Sequence, residues 1–294
     1  MLPAAAAQAL ALLALTAAVP RLACAGWPLR APAPALLLWQ ALGLAGGLLA
    51  LEVAATVALA PLGGTFGEAL AELPAPLTWW AWAAALVFVA VLGRLVTVLL
   101  ASTARTVRDR HRHRVLVDLL ATRNPLLRGT SVLTHDVPVA YCLPGLRPRV
   151  VVSSGVLAAL DEPELRAVLD HELAHITARH DLVVLPFVAL GATFPRLTAV
   201  RVAREQVALL VEMLADDRAV RRHDGRVLAR ALCKVGTAQA PAGGLGSGGS
   251  GVLLRADRLL DPPPPLTRLG LAAVLLGVLL VLALPVAGVL LPRL

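Results

Sequence analysis

Four long apolar runs constrain this chain more than anything else in it. A helix of about 20 mostly apolar residues is long enough to cross the hydrocarbon of a bilayer. Residues 2–20, 33–60, 77–101 and 269–292 each reach that length; the charges inside them are Glu52 and Arg94. The composition agrees, with 58% apolar and 16% charged residues against about 45–50% and about 25% in soluble globular domains. Disorder and an ordinary soluble enzyme are both poor descriptions of such a chain. The 294 residues still leave room for one domain of ordinary size beside the spans. Ala23-Cys24-Ala25 resembles a signal-peptide cleavage site. The charge, Arg21, follows the first run rather than preceding it, so a span with its N-terminus outside fits better.

Arginine placement orients the spans, because positive loops stay on the cytoplasmic side. Arg21 and Arg30 follow the first run, and residues 61–76 carry only Glu68 and Glu72. Arg105, Arg108, Arg110, Arg112 and Arg114 follow the third run, and Arg255, Arg258 and Arg268 precede the fourth. The expected topology is three transmembrane helices in 1–101, a cytoplasmic domain in 102–268 and a fourth transmembrane helix in 269–294. Both termini lie outside. Trp79, Trp80 and Trp82 then mark the outer interface, and Arg94 is expected to snorkel inward. Glu52 is either a functional intramembrane acid or a polar contact between helices.

The net charge of +8 would suit a polyanionic partner, but all five Trp lie at or before Trp82, outside the basic half. No direct nucleic-acid contact is expected. Cys24, Cys142 and Cys233 form no close pair and read as buried thiols in a reducing compartment. His111 and His113 in the arginine-rich linker read as solvated or lipid-facing charge. No internal repeat is present.

Within 102–268, residues 131–152 read as short strands, with Val150-Val151-Val152 after Pro148 and a weak alternation from Val137 to Leu143. Leu143-Pro144-Gly145 is turn chemistry. Ser153-Ser154 can cap a short helix through Leu160. Asp161 with Glu164 three residues on, and Pro163 between, predicts a second helix opened by a capping box. A third helix is expected over 198–222. Gly243 to Gly251 reads as a flexible loop, a linker or a lid, ahead of a short amphipathic segment at 252–260.

The second helix carries His171-Glu172-Leu173-Ala174-His175. Residues four apart share a helix face, so both imidazoles can reach one metal ion. Glu172 lies about 100° round the helix and can address a water instead. This is the arrangement of zinc hydrolases. With 7 His in 294 residues, chance placement gives roughly 0.004 occurrences, against an incidental pair on a solvated helix. A catalytic zinc usually has three protein ligands. Asp181 is one source of the third, although Ala178 stands where a glycine would bring the chain round. Glu212, 37 residues after His175, is the better one. Asp216, one turn further, can hold a ligand imidazole in one tautomer. Residues 182–200 are apolar except Arg196. A single crossing there would put His175 and Glu212 on opposite sides of the membrane. This stretch is therefore expected to be a buried core segment, a re-entrant hairpin or an interfacial helix.

The order of these parts resembles the BlaR/MecR-type membrane zinc peptidases, metallopeptidase family 56, gluzincins related to the HtpX and CAAX-protease group. The resemblance rests on Ala140-Tyr141-Cys142-Leu143-Pro144-Gly145, Pro148 to Gly155, His-Glu-x-x-His and Glu212-x-x-Ala-Asp216, between three spans and a last one. It implies an α-helical integral membrane protein with a cytoplasmic α+β gluzincin-type zinc peptidase domain. It implies one Zn²⁺ on His171, His175 and Glu212, with Glu172 as catalytic base. His223, Arg218 and His180 are the candidates for an oxyanion helper, His180 otherwise serving as a helix-end cation. The segment 137–142 is either a plain sheet edge or the strand that pairs with substrate. The substrate would be a protein or peptide, for the family's regulatory members a winged-helix transcriptional repressor, and membrane lipid is the other partner. Membrane-protein quality control of HtpX type and a non-catalytic signal transducer are the alternative functions. The family's β-lactam sensors carry a penicillin-binding domain after the last span, which this sequence is expected to lack, and no Ser-x-x-Lys motif is present because Ala231 stands three before the sole lysine.

Overall fold

The computed structural model describes residues 2–62, 68, 78–123, 130–143, 148–239 and 247–290. The expected loop at 61–76, the Leu143-Pro144-Gly145 turn and residues 243–246 fall wholly or largely outside them. Four described helices are long and apolar enough to cross a membrane. They are α1 (Leu2–Ala23), α3 (Pro32–Leu59), α4 (Trp79–Leu120) and α11 (Arg268–Leu290). A four-residue α2 (Trp27–Arg30) precedes α3. Many of their large apolar side chains are exposed, Trp79 at 82% and Leu269 at 81%. Helix α4 continues unbroken through the arginine-rich stretch for 42 residues.

The chain divides into two compact units, one of residues 1–102, 186–207 and 266–294, the other of 103–185 and 208–265. In the first, α1 and α3 pack on each other, as do α3 and α11. Gln8 on α1 donates to Glu52 on α3 at 3.4 Å, the interhelical polar contact that was one reading of Glu52. Arg94 does not simply snorkel. Its Nε donates to the Thr193 carbonyl at 3.0 Å, satisfying a helix-end acceptor that has no partner within its own helix.

The second unit holds a four-stranded sheet in the order β1-β2-β4-β3: β1 (Ala121–Arg123), β2 (Thr130–Leu133), β3 (Ala140–Leu143) and β4 (Arg149–Ser153). β2 and β4 run parallel, with Thr130 opposite Val150; β3 pairs antiparallel to β4, with Cys142 opposite Val150. The valine run of β4 is buried on both faces, as a strand inside a sheet requires. Val150 and Val152 pack with Val156, Leu160, Val168 and Ala231 on one side, and Val151 packs with Val117 and Leu143 on the other. Each of these Val and Leu side chains contributes roughly 1.5–3 kcal/mol by leaving water.

Ser153 caps α5 (Ser154–Ala159) by accepting from the Val156 N–H. Gly155 is required there, since a Cβ would sit 2.1 Å from the Asp136 carbonyl oxygen. The capping box forms as the sequence predicts. Asp161 accepts from the Glu164 N–H at 2.9 Å, and Glu164 accepts from the Asp161 N–H at 3.0 Å, opening α6 (Glu162–Thr177). Lys234 on α9 (Gly225–Gln239) donates to the same buried Glu164 at 2.6 Å. Burial raises that carboxyl's pKa, but Lys234 and the backbone outweigh it and hold it below the usual range.

Helix α6 ends at Thr177, and α7 (His180–Thr193) leaves at a 66° bend. Arg179 makes the corner with φ 52°, a left-handed conformation that terminates a helix. The apolar stretch at 182–200 is thus mostly one bent-off helix, followed by α8 (Thr198–Ala219). The Gly/Ser reading of 243–251 needs correction: α10 (Ser247–Leu260) already begins at Ser247.

Candidate metal centre

Helical periodicity puts His171 and His175 on one face of α6, and α8 brings Glu212 to them. His171 Nε2 and His175 Nε2 are 3.2 Å apart. Each lies 3.5 Å from a Glu212 oxygen. Among the described residues, His171, His175 and Glu212 form the group able to hold a metal ion. Ligands at about 2.0–2.1 Å from a tetrahedral zinc lie roughly 3.3–3.4 Å from one another. The three donors already have that spacing, so the donor set fits zinc.

Both imidazoles are fixed from behind. His171 Nδ1 lies 2.9 Å from Asp216 Oδ1. His175 Nδ1 lies 3.1 Å from His180 Nδ1. His180 thus engages His175 Nδ1, Asp216 approaches His171 Nδ1 at ion-pair distance, and the two Nε2 atoms face Glu212. His180 is therefore not a helix-end cation at a C-terminus: it starts α7, its ring is buried, and burial holds its pKa below the usual value. The Arg218 charge also reaches His180 and lowers it further. His223 is drawn to Asp170 at 2.8 Å. Asp181, the other source of a third ligand, accepts from Arg110 at 2.8 Å.

A residue that the sequence did not single out lies under the centre. Arg255, from α10, is 7% exposed. Its Nε donates to Asp216 Oδ2 at 2.7 Å and its Nη2 to Asp216 Oδ1 at 2.8 Å. Its Nη1 lies 2.8 Å from Glu212 Oε2. Next to it, Arg258 donates to both oxygens of Asp217. Arg255 thus ties the metal-facing carboxylate to the carboxylate behind His171. The one available signal was a pair of arginines three apart on an amphipathic segment, and topology accounted for it equally well.

Electrostatics separate the acids by role. Burial raises Glu212 and Asp216, but His171 and Arg255 outweigh it and hold both down at about 2. Glu172 is pushed up to about 7, chiefly by burial. It sits beside the Cys142 backbone N–H on β3. His175 is pushed down to about 4 by burial. In the metal-free centre His171 rises to about 9, because Asp216 and Glu212 outweigh its desolvation. Cys142 is pushed up to about 12 by burial and by the Glu172 charge, so it stays a thiol. His113, expected to be solvated or lipid-facing charge, lies 2.7 Å from the Tyr141 hydroxyl in an exposed contact.

Residues 107–219 match the model of Peptidase family M48. The match covers well under half of the chain. It includes His171, Glu172, His175, Glu212 and Asp216, and it stops before Arg255. It indicates a metallopeptidase, hence a hydrolase of peptide bonds acting on proteins or peptides, and M48 peptidases are zinc-dependent. The M48 match supports the coarse part of the resemblance, a membrane-type zinc metallopeptidase, and is to family M48 where the resemblance named family 56. No curated protein and no solved structure matches the chain.

Proposed function

We propose that this chain is a membrane-embedded zinc metalloendopeptidase that cuts a cytoplasmic protein. The observation that carries this is the three-donor set of His171, His175 and Glu212 at tetrahedral spacing, with Glu172 beside it. These three residues would hold the ion, whose chemistry when bound is Lewis acidity toward water and the scissile carbonyl. Glu172, with a carboxyl near neutral pKa, takes the proton of the attacking water and returns it to the leaving amine. Asp216 and His180 keep the two imidazoles in one tautomer. Among the described residues β3 is the end strand of the sheet, so its outer edge can accept an extended substrate as a fifth strand, beside the Cys142 N–H that Glu172 faces. His223 and His180 are engaged by Asp170 and His175, which makes Arg218 our choice for the oxyanion helper.

The arginine distribution supports four spans with both termini outside and the catalytic unit on the cytoplasmic face. Repressor inactivation on receipt of a signal is our reading of the biological role. Clearance of damaged membrane proteins is the second reading.

The test uses the full chain in detergent. Zinc content and peptide cleavage are measured for wild type and Glu172→Gln. Equal cleavage by the two proteins would sink the mechanism. Glu212→Ala should lose zinc while Asp181→Ala keeps it. Substrate trapping on Glu172→Gln then separates a winged-helix repressor from misfolded membrane proteins.

A further inference from the structure

Glu212 presents both of its carboxylate oxygens to the centre. Oε1 lies 3.5 Å from His175 Nε2, and Oε2 lies 3.5 Å from His171 Nε2. By spacing alone, either oxygen or both together could serve as ligand. The choice matters for the chemistry. A catalytic zinc with three protein ligands keeps a fourth position for water. A carboxylate that chelates through both oxygens takes that position itself. Packing does not make the choice, because the Glu212 side chain is 39% exposed and its neighbours' bulk leaves it free to turn.

Arg255 does make it. Its Nη1 lies 2.8 Å from Oε2, whereas among the described residues no arginine or lysine stands at ion-pair distance from Oε1. The guanidinium cannot swing from one oxygen to the other. It is buried, and its Nε and Nη2 both donate to Asp216. A planar fork fixed through two donors has its third donor aimed at one point. Asp216 in turn stands 2.9 Å from His171 Nδ1. One side chain of α10 therefore orients a metal-facing carboxylate and the carboxylate behind a metal-facing imidazole, one turn apart on α8. Arg258 supplies the comparison. It joins the same two helices through Asp217, which is not one of the three donors.

We propose that Arg255 is a positioning residue that makes Glu212 a one-oxygen ligand: it holds Oε2 and leaves Oε1 to the metal, so that the fourth position stays open for water. The proposal rests on the reading of His171, His175 and Glu212 as the zinc ligands.

Cobalt substitution of the full chain in detergent reads the coordination number, because four-coordinate Co²⁺ absorbs strongly in the visible and five-coordinate Co²⁺ weakly. Wild type should give the strong spectrum. Arg255→Met frees Oε2 and should give the weak one, with zinc held about 10–100-fold less tightly in chelator competition. Arg255→Lys keeps a buried cation without the fork and should shift the spectrum in the same direction. Arg258→Met cuts the neighbouring link between the two helices; it should lower the melting temperature and keep the wild-type spectrum and zinc affinity. A wild-type spectrum in either Arg255 variant overturns the proposal and leaves the zinc centre standing. So does an equal spectral change in Arg258→Met, which would make Arg255 only a fastener between helices. If Arg255→Met does not fold, Arg255→Lys decides alone. A wild type that takes up no cobalt overturns the zinc centre and this proposal together.

Discussion

Replacing Arg255 by methionine removes one buried cation and leaves two carboxylates behind. Asp216 is 1% exposed and takes two hydrogen bonds from that guanidinium; Glu212 takes a third contact. Removing one partner of a buried ion pair costs about 3–5 kcal/mol, mostly because the other charge is stranded. For a domain of about 150 residues, 1 kcal/mol moves the melting temperature by about 2–4 °C. The single variant should therefore melt about 6–20 °C lower in metal-free form. The second half of the test is the double variant Arg255→Met with Asp216→Asn. It strands no charge on Asp216, so it should recover most of the loss. Circular dichroism melts of wild type, both single variants and the double variant in one detergent give the cycle. A single variant that melts within 2 °C of wild type, or a double variant that loses the sum of the two singles, refutes the reasoning.

Glu172 makes a pH prediction whose sign follows from its raised pKa. A carboxyl lifted to about 7 when folded holds its proton while the unfolded state ionises, so the cost is absent below its unfolded pKa, builds as pH rises from there and is complete above about 7. Glu172→Gln should stabilise the metal-free protein at pH 8 and leave it unchanged at pH 4; equal effects at both would refute burial as the cause. Asp216 behaves oppositely. Its pKa is held at about 2, so its contribution is full above the unfolded value and is lost as pH falls toward 2, and Asp216→Asn should flatten that acid limb in metal-free melts. Asp216→Ala and His180→Ala should each weaken zinc binding about 10–100-fold in chelator competition, because each frees a ligand imidazole to turn. Arg179→Gly should raise stability by about 1 kcal/mol, since glycine adopts a φ of 52° without the Cβ clash; a lower melting temperature would mean that the corner is unstrained.

Much of this was legible because it is local. The capping box of α6 needs two residues three apart, and the histidine pair needs two residues four apart. Both are one-turn relations that a sequence displays. The buried valine run of β4 shows itself in the same way. What stayed hidden depends on distance along the chain. Arg255 meets Asp216 across 39 residues, with a Gly/Ser-rich tract between them, and no periodicity connects the two. Arg94 reaches a carbonyl 99 residues away, and a backbone acceptor has no residue type to reveal it. His180 sits in the sequence like any residue after a helix end. Only the left-handed corner at Arg179 turns it back onto His175. β1 is three residues long, too short for alternation to mark it.

The wide spacing of the charges around the centre has a consequence for how the protein is made. Chains leave the ribosome at about 5–20 residues per second. Arg255 is 39 residues behind Asp216, so translation runs for about 2–8 s between the carboxylate and its guanidinium. During that interval the histidines and both acids exist without the cation that ties the acids together. A nascent chain therefore carries His171, Glu172, His175, Glu212 and Asp216 before it carries the arginine that joins the two carboxylates.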